Sequence, residues 1–428
     1  MREQRNLTQS VDWVIIMIYA GLVIMGWLNI YAAVYDPSLD QSIFEMRYNS
    51  GKQLVWIFLS IPIIIAIMVI DFNFYDKLAY VVYGLLIFTL VFVLVFGREV
   101  AGSKSWLDLG FARLQPSEFA KFATAIGLAK VISMRDLRLE KFSDFMLASI
   151  FVIVPAGLII LQGDTGSAIV FGSFIIMFYR EGFPGFLVGI LLFCVGIFIV
   201  TLFARESFFN ELILTVVGVG VAILALLVYL KKKRGFWITL FGFVLAVGLI
   251  YSVDFIISDV MKPHQRKRIE ILVDPNKDPT GAGWQVTQSK IAIGSGGFTG
   301  KGFLEGTQTK FDFVPDQSTD FIFCTVGEEH GYLGSFIVVI LFIALLFRVT
   351  QIAERQKSRF SRVYGYSVAG IFFFHFMINI GMTIGVFPVI GIPLPFFSYG
   401  GSSLWSFTFL LFILVKLDAH RMQILARY

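Results

Sequence analysis

Long apolar stretches separated by short polar ones run the length of the chain, and their size sets its architecture. A helix needs about 20 apolar residues to cross the hydrocarbon core of a bilayer. Runs of that kind fall near 12–33, 53–70, 77–96, 115–134, 145–162, 165–180 and 184–204, and then near 209–230, 236–257, 320–347, 364–386 and 403–417. The pattern predicts an all-α polytopic membrane protein of about twelve transmembrane helices, one integral membrane domain over 1–428. The fourth run is the least uniform, because Glu118, Lys121 and Lys130 lie inside it. The first reads as a retained helix, since no small-residue cleavage site follows it.

The polar segments give the orientation. Arg135, Arg138 and Lys141 follow the fourth run, Lys231–Arg234 lie between the eighth and ninth, and Arg348 to Arg362 between the tenth and eleventh. Short basic loops face the cytoplasm. All of these do so together if both termini are cytoplasmic. The outer side then receives 34–52, 97–114, 205–208, 258–319 and 387–402, of which 258–319 is a single long extracytoplasmic loop. Loops of that length are functional or disordered. The spaced residues Trp284, Ile291, Phe298, Phe303 and Phe313 argue for order.

Composition changes little in this picture but removes other classes. The chain is 57% hydrophobic and 15% charged, against about 25% charged in soluble proteins. Its net charge of +5 sits in short loops and is no nucleic-acid footprint. Two cysteines in apolar runs make no disulfide framework. No His-x-x-Glu-His or Cys/His spacing points to a structural zinc.

Candidate chemistry concentrates in the long loop. Arg266 and Arg268 form an outer-face basic cluster, against the positive-inside trend; they can hold a phosphate or diphosphate, or anionic headgroups. Asp274 and Asp278 each precede a proline, and a carboxylate there can act as a general base toward a hydroxyl. Local chemistry does not choose between them. The glycine-rich run 294–302 lacks a nucleotide-binding fingerprint and reads as close backbone approach to a sugar or diphosphate, or as re-entrant turns. A second constellation joins Trp106, Arg113 and the pair Glu118 and Lys121, which share one helix face. Ionisable groups within a span face an interior or a cavity. Asp164 lies between the fifth and sixth runs beside Gly163 and Gly166, and Glu328, Glu329, His330, His375 and Asn379 read first as interhelical hydrogen-bonding residues.

Taken in order, several stretches resemble the SEDS family (shape, elongation, division and sporulation), its elongation branch more closely than its division branch. They are Trp106–Gly110, Arg113–Lys121, Gln265–Arg268, Asp278–Gln285, Gln288–Gly297, Gly302–Gln308, Thr319–Phe323 and Gly391–Ser403. The resemblance implies an inverting peptidoglycan glycosyltransferase that polymerises lipid II at the outer face of the bacterial cytoplasmic membrane. It implies a class B penicillin-binding protein as partner and an undecaprenyl-diphosphate-linked glycan strand as co-substrate. It selects Asp278 as the catalytic carboxylate over Asp274. Trp106, Arg113, Glu118, Lys121, Arg266, Arg268, Gln288 and Ser289 are expected at the substrate. No cofactor is implied beyond a divalent cation on the diphosphate. Such proteins carry about ten spans, so 209–257 reads as an inserted transmembrane hairpin. Gly163-Asp164-Thr165-Gly166 stands where Pro-Asp-Leu-Gly is more usual in the family, so the departures flank Asp164. A lipid II flippase, and a scaffold for the cross-linking enzyme, are the alternatives: translocation that survives Asp278→Asn would favour the first.

Overall fold

The computed structural model describes residues 11–204, 263–310 and 313–421, less 37, 39, 40, 101, 109, 111, 112, 275–277, 279 and 280, together with 218, 248, 252 and 255. The expected inserted hairpin at 209–257, the start of the long loop and the basic residues Arg2, Arg5 and Arg427 lie outside the described residues. In chain order the elements are α1 (Trp13–Val34), α2 (Asn49–Val69), α3 (Phe72–Lys77), α4 (Ala79–Phe96), β1 (Arg98–Val100), β2 (Ser103–Asp108) and β3 (Arg113–Leu114). Then come α5 (Pro116–Met134), α6 (Phe142–Leu161), α7 (Thr165–Val170), a 3-10 turn, α8 (Phe174–Arg180) and α9 (Gly185–Ala204). The chain continues through α10 (Pro263–Val273), α11 (Ala282–Ser295), α12 (Thr307–Lys310), α13 (Ile322–Glu354), α14 (Arg359–Thr383) and α15 (Gly401–Ala419).

Ten of the twelve apolar runs correspond to these helices within a few residues at their ends. Among the described residues, seven helices are long and apolar enough to cross a membrane. The chain forms two compact units, residues 1–183 with 285–428, and residues 184–284.

In the first unit the least apolar helices are the most enclosed. The best apolar windows of α14 and α15 have mean hydropathy 1.4 and 1.5 and are 72% and 83% buried; that of α4 reaches 2.6 and is 17% buried. Lipid is as apolar as leucine, so polar side chains are the ones that gain from burial among other helices. Small residues allow the approach: a Cβ on Gly370 of α14 would lie 2.7 Å from the Ser173 carbonyl of the 3-10 turn.

Two segments expected as loops have regular structure. Residues 98–114 form a three-stranded antiparallel sheet in the order β1-β2-β3, with Trp106 opposite Arg98 and Asp108 opposite Arg113. Its hairpin is tied to the end of α6 by the Lys104 amide, 2.8 Å from the Gln162 carbonyl. The described part of 258–319 is mostly helical: α10, α11 and α12. Neither was visible as a long apolar period, because the strands are two to six residues long and the helices four to fourteen.

The glycine-rich run serves a break in α13. Gly331 has φ 62° and ψ −155°, a conformation nearly confined to glycine. The interrupted ladder is completed by the loop: the Tyr332 and Leu333 amides donate to the Gly297 and Phe298 carbonyls, at 2.9 and 3.1 Å. In return the Lys301 and Gly302 amides donate to the Glu328 and Glu329 carbonyls, at 3.1 and 3.0 Å. A Cβ at Gly296 or Gly300 would sit 2.0 or 2.1 Å from a carbonyl oxygen of α13. The close neighbour of these glycines is thus the backbone of α13.

Candidate functional site

The start of α5 carries a cluster of polar groups in the first unit. Pro116 occupies its first turn, where a missing N–H costs nothing. Three residues upstream, β3 brings in Arg113, which is exposed; its carbonyl accepts from the Ser402 hydroxyl at 3.4 Å. Trp106 is half-buried on the neighbouring strand β2. Trp106 and Arg113 thus share one small sheet that runs directly into α5.

Asp164 organises the next layer. One carboxylate oxygen accepts from Gln115 at 3.1 Å and Ser117 at 3.0 Å, while the other caps α7 by accepting from the Ser167 amide at 2.9 Å. One turn further along α5, Glu118 and Lys121 are buried together. Lys121 Nζ lies 2.8 Å from Glu118 Oε1 and 2.8 Å from His375 Nε2 of α14, with the Phe407 ring 5.0 Å away. Lys121 is fully buried and Glu118 is 2% exposed. An uncompensated charge here would be very costly, so the spacing of three residues on α5 is the condition for the lysine's presence.

Gln288 and Ser289, on α11, are both buried. The Ser289 hydroxyl donates to the Thr383 carbonyl at 2.9 Å, which ties α11 to the end of α14. Glu328 makes another anchor in the same unit. Its carboxylate accepts from the amides of Thr307 and Gln308 at 2.8 Å each and of Thr309 at 3.0 Å, and from Lys301 Nζ at 2.7 Å. A Cβ on Gly306 would lie 2.3 Å from Thr309 Oγ1 and 3.0 Å from Glu328 Oε2, so Gly306-Thr307-Gln308 is a carboxylate cradle. The sequence carried no signal for this pairing, because the acid lies about twenty residues downstream on another element.

The second unit holds Asp278, Arg266 and Arg268. Asp278 is 5% exposed and caps the start of α11, its Oδ2 accepting from the Ala282 amide at 3.0 Å. A Cβ on Gly281 would lie 2.3 Å from that oxygen, which explains the Asp-Pro-Thr-Gly spacing. Oδ1 is 2.9 Å from Lys267 Nζ, on a lysine whose side chain is 56% exposed. The lysine's hydrogen bond holds the Asp278 carboxyl below the usual carboxylate range, with help from its charge and from the amides of Ala282 and Gly283. Desolvation opposes this but is outweighed. Arg266 forms an i,i+4 pair with Glu270 on α10 at 2.7 Å. Asp274 occupies the other end of that helix, its amide donating to the Glu270 carbonyl at 2.9 Å. The two aspartates therefore differ in setting. Asp274 sits at a helix C-terminus, where negative charge is disfavoured, and Asp278 at an N-terminus beside a lysine. Lys267 is the residue sequence reasoning passed over, since one lysine between two arginines looks like any other surface charge.

Several helices long and apolar enough to cross a membrane, with an acid–base pair buried among them in the first unit, define a class: polytopic membrane proteins. Comparison with known proteins gives the family. Residues 12–218 and 213–423 match the FtsW/RodA/SpoVE family, described as cell cycle proteins. The chain is 31% identical to the peptidoglycan glycosyltransferase RodA of Treponema pallidum, over 96% of this chain and 98% of that one. It is 33% identical to the peptidoglycan glycosyltransferase MrdB of Escherichia coli K12, over 90% of this chain and 88% of that one. A solved structure described as "Structural coordination of polymerization and crosslinking by a peptidoglycan synthase complex" is similar, with TM-score 0.68 and 28% identity, over 96% of this chain and 99% of that one. The crystal structure of Thermus thermophilus RodA shares the fold, with TM-score 0.60, over 96% and 97% of the two chains. The chain belongs to the FtsW/RodA/SpoVE family.

Proposed function

We propose that this chain is a peptidoglycan glycosyltransferase that polymerises lipid II, with Asp278 as its general base. Family membership over nearly the whole chain supports the reaction class. The observation that carries the residue assignment is the Asp278 cradle: a carboxylate nearly closed off from solvent, oriented by a helix start and paired with an exposed lysine.

The step is an inverting displacement. Asp278 takes the proton of the acceptor GlcNAc 4-hydroxyl as that oxygen bonds to the anomeric carbon of the strand's terminal MurNAc. The bond from that carbon to the diphosphate oxygen breaks, and undecaprenyl diphosphate leaves with the electron pair. Arg266, Arg268 and Lys267 supply the positive charge that stabilises the leaving diphosphate. An aspartate held strongly ionised is a weak base. When Lys267 turns from Asp278 to the diphosphate, the carboxylate regains basicity at the moment substrate is bound. Trp106, Arg113, Glu118, Lys121, Gln288 and Ser289 belong to the substrate region in this reading. We assign no metal centre to the protein; a divalent cation would ride on the substrate's diphosphate, and no step depends on it.

The active face is the extracytoplasmic one, in a bacterial cytoplasmic membrane, and a class B penicillin-binding protein cross-links the strand. The similarity to a complex coordinating polymerization and crosslinking supports such a partner. The test is lipid II polymerisation by the purified protein with its partner, comparing wild type with Asp278→Asn and Asp274→Asn. Loss in the first and retention in the second is expected; full activity of Asp278→Asn overturns the assignment.

A further inference from the structure

His375 has a definite protonation geometry that the reaction as written above leaves unused. Its Nδ1 lies 2.9 Å from the Pro393 carbonyl oxygen, and its Nε2 lies 2.8 Å from Lys121 Nζ. A carbonyl only accepts, so Nδ1 carries the hydrogen. Nε2 then has a lone pair, and it accepts from the lysine ammonium. The tautomer is fixed from both sides. The imidazole is 1% exposed and packs edge-on against Phe407, ring centroids 4.8 Å apart.

The contacts form a chain across three segments: the Glu118 carboxylate, the Lys121 ammonium, the His375 imidazole, and the backbone at Pro393. Glu118 and Lys121 are three residues apart on α5, while His375 is 254 residues away on α14. The far end of the chain is the Pro-rich segment before α15. Prolines offer carbonyls but no N–H, so a buried segment of this kind needs side-chain donors. α14 provides them four residues apart: His375 to Pro393, and Asn379 Nδ2 to the Ile392 carbonyl at 2.7 Å. Asn379 has no further partner on α5. His375 does, and so it alone of the two connects the Pro-rich segment to the Glu118–Lys121 pair.

We propose that His375 is a positioning residue for glycan polymerisation: its Nε2 lone pair holds the Lys121 ammonium against Glu118, and its Nδ1–H fixes Pro393 in the same register. This rests on the polymerase reading. The ammonium has three N–H donors and two are taken by Glu118 and His375, so its remaining donor is aimed by those two partners. Loss of the imidazole acceptor frees the lysine to rotate about its own stem, and the charge arrangement at the start of α5 is no longer unique. The fixed end at Pro393 matters for the same reason: if the imidazole turns, the lone pair turns with it.

The chemistry of amides separates this role from plain core filling. A glutamine at 375 can place its oxygen near the Nε2 position and accept from Lys121. An asparagine can place its NH2 near Nδ1 and donate to Pro393, but it does not reach the lysine. Leucine does neither. The experiment measures lipid II polymerisation by the full chain with its cross-linking partner, together with thermal midpoints, for His375→Gln, His375→Asn and His375→Leu. The expected result is a kcat within about threefold of wild type for the Gln variant and a loss of tenfold or more for Asn and Leu. KM for lipid II should change by less than about twofold in all three. Equal kcat losses in all three that follow their thermal midpoints mean a structural role only and overturn the proposal, as does wild-type kcat in His375→Leu. A spectroscopic arm is independent of turnover. In protein labelled with 15N-histidine, His375 (assigned by its absence in His375→Gln) should show a protonated Nδ1 and a bare Nε2, and Lys121→Met should shift the Nε2 resonance. The opposite tautomer overturns the proposal. Wild-type protein that shows this tautomer yet makes no glycan strand would instead mean that the polymerase reading is wrong.

Discussion

Two lysine–carboxylate pairs of nearly equal length sit in very different surroundings. Lys121 and Glu118 are 2.8 Å apart with side chains 0% and 3% exposed; Lys267 and Asp278 are 2.9 Å apart with side chains 56% and 7% exposed. In the first, both charges are committed to protein partners and neither can leave without stranding the other. In the second, only the acid is enclosed, and the lysine can exchange its partner for solvent or an anionic substrate at little cost. The same chemical pair is a fixed element in one place and a releasable one in the other. Solvent access to the cation makes the difference. Lys301 with Glu328 falls between them, at 25% and 0% exposure, and its carboxylate is held mostly by backbone amides.

The contrast predicts a graded set of outcomes. The largest is Asp278→Asn, which removes the proposed base and should lower polymerisation by about 100-fold or more, with little change in thermal midpoint. Polymerisation and melting measured on the same preparation check it. Next, Lys121→Met leaves a buried carboxylate without its cation and should destabilise the protein by about 3–5 kcal/mol. The double variant Lys121→Met with Glu118→Gln should recover a large part of that loss in chemical or thermal unfolding in detergent. Failure to recover would show that the pair is not the source. Glu328→Gln should cost about 2 kcal/mol through weakened hydrogen bonds to the α12 amides, read as earlier proteolytic cleavage near 301–310.

The smallest effect on stability and the clearest on pH belongs to Lys267→Met. A pair with an exposed cation contributes about 0–1 kcal/mol, so unfolding should barely change. The lysine holds the Asp278 carboxyl below its usual range, so the charged base persists to lower pH in the wild type. Without the lysine that carboxyl titrates higher, and protonation removes the base at a higher pH. The acidic limb of kcat/KM should therefore move upward in Lys267→Met. An unmoved limb would mean that the pair does not set the basicity of Asp278.

Much of this was legible in the chain. Ten of the apolar runs became helices at their expected places, because lipid solvation demands about the same length of apolar residue everywhere and leaves a local mark. The Asp278 turn was legible for a similar reason: Asp, Pro and Gly at fixed offsets act on a backbone a few residues away. The sheet over 98–114 was missed because strands of two to six residues leave too short a period to read.

What the sequence determined by itself is what neighbouring residues and the solvent decide together: which segments enter lipid, which turn, and where charge concentrates. It singled out His375, Glu328 and Lys121 as polar residues in apolar surroundings. Their partners were decided only by tertiary structure. Glu328 received the amides of a helix some twenty residues upstream, and Lys121 received an imidazole 254 residues downstream. The physical reason is that burial makes a partner obligatory without specifying which one. Any element carrying the complementary group would satisfy the sequence equally well, and only the packing of α5 against α14 for Lys121, and of α12 against α13 for Glu328, selects among them.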